Sequence, residues 1–174
     1  MAKAYKLFRL KKDGKLYPLF VLHHKPTPVG VWVKAESGET LGGHVRSKIG
    51  LLKQRAGWHL NDRVPCVNHI GIKENGIVKY MHPDTVWCEV EYSDEVDYNP
   101  VVQKLGMRSG KFDPKAACLT DAPVNGFYYY KTSPTQTDPW IIAGSIFIKK
   151  ILTDEEVDRI CRENRVEPQP RLTM

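Results

Sequence analysis

Apolar and polar positions alternate strictly over residues 86–92: Val86, Cys88, Val90 and Tyr92 fall on one side, Trp87, Glu89 and Glu91 on the other. A period of two is the mark of a strand. Residues 5–10 alternate apolar with basic, and a second apolar run over 16–22 follows across Asp13-Gly14, which predicts a hairpin. Pro18 places the second strand at an edge or delays its start. Asn75-Gly76 predicts a type I′ hairpin turn. Residues 126–132 form an aromatic strand in which Tyr128, Tyr129 and Tyr130 must face both sides, leaving at least one ring partly exposed. Residues 140–148 are apolar on both faces, as in a central strand. Trp32, in a short run over 31–35, is expected in the core, and residues 93–115, charged and broken by Pro and Gly, read as a surface excursion. Thr153-Asp154-Glu155-Glu156 is a capping box; the helix it opens buries Val157, Ile160 and Cys161, and an extended tail runs from about residue 166. These elements predict one α+β domain over residues 1–174, a twisted, mostly antiparallel sheet with few helices and a C-terminal capping helix.

Composition changes this picture little. A chain of 174 residues, 41% hydrophobic and 26% charged, is long enough to bury a core without staples. Cys66, Cys88, Cys118 and Cys161 form no C-x-x-C pair, and the adjacent His23 and His24 point apart on an extended chain, so no metal site is expected. The charged opening of the chain resembles no export signal, and no apolar run approaches the roughly 18 residues of a membrane span. The expectation is a cytoplasmic protein with reduced thiols and no membrane partner.

Charge is more informative. Residues 1–63 hold 13 Lys/Arg against 4 Asp/Glu, whereas residues 64–174 hold 13 against 16. A basic first half attracts phosphates, nucleotides or nucleic acid over about 8–10 Å, although it also serves simple solubility. At its end lies the densest chemistry of the chain, residues 51–63, with Arg55, Gly57, Trp58, His59 and Asp62. His59 can donate, accept or act as a general base, Asp62 stands three residues on and can orient an imidazole, and Arg55 lies within reach of an anion at the same place. Arg9 is a second candidate anion clamp, and Tyr129 a candidate stacking ring. Glu89 and Glu91, on one strand face, are the candidate acids beside His59. Each also has an ordinary use, as a satisfied core histidine, solvated charges or sheet packing. Neither a P-loop, a G-x-G-x-x-G fingerprint nor a G-x-S-x-G elbow is present.

The run Val45-x-Ser47-Lys48-x-Gly50-x-Leu52-x-x-Arg55-x-Gly57-Trp58-His59-Leu60-x-Asp62, together with residues 86–90, 126–128, 131–132, 140–144 and 151–157, resembles a domain of bacteriophages and mobile elements that also occurs inside very large polyvalent phage proteins. More distantly, the layout is similar to ADP-ribosyltransferase folds, which implies NAD as substrate, Arg9 and His59 in the early-strand roles and a glutamate on a late strand. Here the late strand carries Ser145 and no acid, so Glu89 or Glu91 would have to serve. Together the residues and the resemblance imply a phage or mobile-element accessory protein, in the host cytoplasm, that binds a nucleotide-like anion through Arg55, His59 and Asp62. The alternative is a non-catalytic module that binds nucleic acid or a host protein, in anti-defence or alongside DNA.

Overall fold

The computed structural model describes residues 1–36, 40–41, 44–47, 50–53, 56–67, 69–131 and 138–172, with those between 40 and 53 described through their backbone alone. It shows a single α+β domain built on a twisted, mixed sheet. Strands β1 (Ala2–Leu10) and β2 (Leu16–Tyr17) form the expected hairpin, turning through Gly14 at φ +78°. The second strand stops at Pro18, and the chain bends at residues 19–20 and turns over 21–24. After β3 (Trp32–Lys34), strands β4 (Thr40–Leu41), β5 (His44–Ser47) and β6 (Gly50–Lys53) pair as a small separate sheet. Then come β7 (Trp58–Asn61) and the hairpin of β8 (Ile72–Glu74) and β9 (Ile77–Tyr80). Asn75 and Gly76 both take positive φ at its turn, as a type I′ turn requires.

Strand β10 (Thr85–Tyr92) is the longest partner of β1, antiparallel from Ala2↔Tyr92 to Arg9↔Thr85. The expected surface excursion holds more structure than its sequence suggests. It contains β11 (Val96–Asp97), helix α1 (Asn99–Gly106) and the two-residue strands β12 (Met107–Arg108) and β13 (Lys111–Phe112). Strands β14 (Gly126–Tyr130), β15 (Trp140–Ala143) and β16 (Ser145–Ile151) follow, and α2 (Asp154–Glu163) closes the set. Both bonds of the Thr153–Glu156 capping box are present.

The main sheet runs β11-β14-β15-β7-β1-β10-β16-β3, with only β11 and β14 paired in parallel. Strands β15 and β16 are one strand in two halves, separated by Gly144 alone. The first half pairs with β7 and β14, the second with β10 and β3, so the sheet curls back on itself. Two contacts close the curl: Trp58 Nε1 donates to Val33 O at 3.0 Å, and the Tyr92 and Phe127 rings meet edge-on at 5.7 Å. Inside the curl pack Ala4, Phe8, Leu60, Cys88, Val90, Ile141, Ile146 and Ile148. The other face is also buried, because α1 (Val102), α2 (Val157, Cys161) and the loop carrying Val64 and Val67 cover Tyr5, Leu7, Trp87, Tyr128 and Ile142. Trp32 departs from expectation. It sits on the edge strand β3, 45% exposed, with its ring against Phe147 at 5.8 Å.

Candidate functional site

Strand alternation sorts the residues around the Gly57-Trp58-His59 core. Trp58 and Leu60 point into the curl, while His59 and Asn61 face the helices. Gly57 takes φ +142°, and a side chain there would collide with Ile142 Cγ2, so only glycine lets β7 start beside β15. Asn61 pairs with Tyr5 on one side and Trp140 on the other; His59 lies opposite Ile142.

Trp140 is the centre of the cluster. The His59 ring meets its indole edge-on at 5.8 Å, and the His69 ring, from the loop after β7, meets it at 5.5 Å. His59 Nδ1 lies 3.2 Å from Gly57 O. Asn61 Nδ2 donates to Cys66 O at 3.0 Å, which leaves Asn61 Oδ1 buried without a partner. His69 Nδ1 is likewise buried and unpartnered, as is Oε1 of Gln169, whose Nε2 donates to Ile70 O at 3.2 Å. Burial, helped by the charge of Lys73, holds the His69 imidazole below its ordinary pKa and therefore neutral at pH 7. At the rim, Arg63 pairs with Asp138 at 3.1 Å. Behind the cluster, Lys6 Nζ donates to His59 O at 3.0 Å from inside the curl.

The other expected site residues are placed elsewhere. Glu89 and Glu91 do share a face of β10, but β1 lies between β10 and β7, which separates them from His59 by two strand spacings, about 10 Å. Both glutamates flank Lys149, at 3.8 and 3.6 Å. Asp62 does not orient His59. It lies exposed just beyond β7, and its charge acts on the phenols of Tyr92 and Tyr129, which burial and Asp62 hold above their ordinary pKa. Tyr129 is the exposed ring of the tyrosine run, edge-on to Phe127 at 5.7 Å and away from the Trp140 cluster. The Arg9 guanidinium is committed to Asp84. Arg55 lies outside the described residues. A groove of about 560 Å³ lies apart from all of these, lined by Leu105, Arg108, Asp113, Lys115, Cys118 and Leu119.

Of this cluster the sequence reading names His59 and does not name Asn61, His69 or Trp140. Asn61 was legible in principle, since it shares the His59 face at the next position but one. His69 and Trp140 reach the site through tertiary pairing, which leaves no local signal. An indole, two imidazoles and a carboxamide thus gather at one place, where an amide oxygen and an imidazole nitrogen are buried without partners. No cluster of three or more His, Cys, Asp or Glu side chains able to hold a metal occurs among the described residues, and none of the described helices is long and apolar enough to cross a membrane. No family model matches the chain, and no curated protein or solved structure matches it.

Proposed function

We propose that this protein binds a nucleotide-like anionic ligand at the Trp140 cluster without transforming it, as an accessory protein of a phage or mobile element. One observation carries the reading: Asn61 Oδ1 and His69 Nδ1 are buried and unpartnered beside the same indole. Leaving a buried acceptor unpaired costs about 1–3 kcal/mol, so such atoms usually have a partner. The N–H groups of a purine or pyrimidine edge match two acceptors, and the basic first half of the chain favours a phosphate nearby. Catalysis of ADP-ribosyl transfer is the weaker reading, because the glutamates that would stabilise a cation-like transition state stand two strands from His59 and face Lys149.

Calorimetric titration with nucleoside monophosphates, nucleoside diphosphates and NAD tests this. Binding should depend weakly on salt, weaken about tenfold or more in Asn61→Ala and His69→Ala, and leave NAD intact. Nicotinamide release that is lost in Glu89→Gln or Glu91→Gln would restore the enzyme reading. Trp32 supports a different outcome. Its exposed indole on the edge strand beside Lys34 offers a base-stacking surface, so single-stranded nucleic-acid binding with a steep salt slope and sensitivity to Trp32→Ala would replace the small-ligand site.

A further inference from the structure

Cys66 and Cys161 are 95 positions apart in the chain and in contact in the fold. Cys66 is half-buried in the loop after β7, directly behind Pro65. Cys161 is fully buried on the inner face of α2. Its Sγ lies 3.8 Å from Pro65 O, the carbonyl that precedes Cys66, and the two thiols lie close enough to shift each other's ionisation. The tail after α2 crosses the same place, with Cys66 Sγ 3.9 Å from Glu167 O and the Gln169 backbone N–H directed at the sulfur.

We propose that Cys66 and Cys161 form a redox-active dithiol, in which Cys66 attacks small disulfides or hydroperoxides and Cys161 resolves the product into an internal disulfide. The surroundings assign the two roles. The Cys161 thiol and the Gln169 N–H stabilise a Cys66 thiolate and bring its pKa down to about 7, while donation to Cys66, burial and the charge of Asp158 push Cys161 up. A low-pKa, partly exposed thiol is the reactive kind, and a buried neighbour is the resolving kind. The remaining cysteines lack this arrangement. Cys88 is sealed inside the curl with its thiol pushed up to about 12 by burial, and Cys118 packs against the helix-side core with its Sγ donating to Lys115 O at 3.7 Å.

The reaction balances with a small symmetric disulfide such as oxidised glutathione. The Cys66 thiolate attacks one of its sulfurs, breaking that S–S bond, forming a mixed disulfide and expelling one thiolate. Cys161 gives up its proton to solvent and attacks the Cys66 sulfur, forming the Cys66–Cys161 bond and expelling the second thiolate. The two protein thiols lose two electrons and the small disulfide gains them. With a hydroperoxide the Cys66 thiolate attacks the terminal oxygen, the O–O bond breaks and the other oxygen leaves as an alcohol or water, and Cys161 then displaces the oxygen of the Cys66 sulfenic acid as water to form the same disulfide.

The test uses the reduced full-length protein, treated with oxidised glutathione, quenched in acid, alkylated and mapped by peptide mass spectrometry. A Cys66–Cys161 linked peptide is expected while Cys88 and Cys118 remain alkylatable, and the oxidised protein should melt several degrees higher because the new bond joins distant segments. Cys161→Ser should stall with glutathione on Cys66. Even if that variant does not fold, native wild-type protein at pH 7 should be alkylated at Cys66 at least about tenfold faster than at Cys118. A linked peptide through Cys118, a stable glutathione adduct on Cys66 in wild type, or equal alkylation rates would each overturn the assignment.

Discussion

Lys6 shows how far one residue can depart from its sequence pattern. In the alternating run of β1 its position reads as solvated, yet it lies between Ala4 and Phe8 on the face that lines the curl. Its ammonium donates to His59 O and sits over the rings of Phe8 and Trp58 at 5.5 and 5.7 Å. Burial is the dominant effect and lowers the amine from 10.5 to about 8, with Cys88 the smaller influence in the other direction. Between those two values the folded protein holds the amine neutral while the unfolded chain binds a proton. Stability therefore rises with pH through this window, and below about pH 8 the cost of burying the charge is fully present. That cost is on the order of 3 kcal/mol before the carbonyl and the rings offset it. Lys6→Met should accordingly be more stable than wild type at pH 7, by about 1–3 kcal/mol, and the advantage should shrink by pH 10. Urea unfolding of both proteins at the two pH values decides this. A variant less stable at pH 7 would mean that the carbonyl bond and the ring contacts outweigh desolvation.

At the scale of elements, what was legible was what is local. The capping box of α2 and the Asn75-Gly76 turn work through neighbours in the chain, and both form as their residues dictate. Helix α1 was hidden because it is short, carries Pro100 in its first turn and buries only Val102 and Gly106, so no apolar period marks it. The run over 140–148 reads as one central strand, and its division is not visible in the sequence. An all-apolar stretch does not say which partner lies beside which half, and here the partners change at Gly144. Gly144 N donates to Gly126 O at 3.1 Å, and Gly144 O accepts from Ala35 N at 2.8 Å. A side chain at Gly144 would run into the Pro123 backbone carbonyl. Its φ is one that any residue adopts, so the demand is for space alone. Gly144→Ala should destabilise by about 1–3 kcal/mol, the usual cost of overpacking, with the denaturant slope unchanged. Wild-type stability in that variant would show that the bend tolerates a shift of the Pro123 segment.

For the whole molecule, the decisive feature is how the C-terminal tail joins parts that the sheet leaves separate. The sequence marks it only as extended, through Pro168 and Pro170, and such a segment can equally hang free in solvent. Instead Arg165, at φ 58°, turns the chain out of α2 and sends it back across the fold. Glu167 O meets Cys66, Gln169 Nε2 donates to Ile70 O, and Pro170 O accepts from Met81 N at 2.8 Å. Leu172 N then donates to Met81 O at 3.2 Å, and Arg171 reaches both the Asp154 carboxylate and, at 3.2 Å, Thr85 O. The tail thus ties α2, the loop that carries His69 and the start of β10 into one body. Each neutral bond contributes about 0.5–1.5 kcal/mol, and the exposed Asp154 makes the ion pair the smaller part. Removing residues 167–174 should therefore lower stability by about 2–5 kcal/mol and lower the thermal midpoint by at least about 5 °C, whereas Arg171→Ala alone should cost about 1 kcal/mol. Hydrogen exchange should speed up at Ile70, Met81 and Thr85 in the truncated protein and stay unchanged in the β1–β10 pair, which is held without the tail. A truncation that melts within about 2 °C of the full chain would mean that the strap rests on a fold already complete without it.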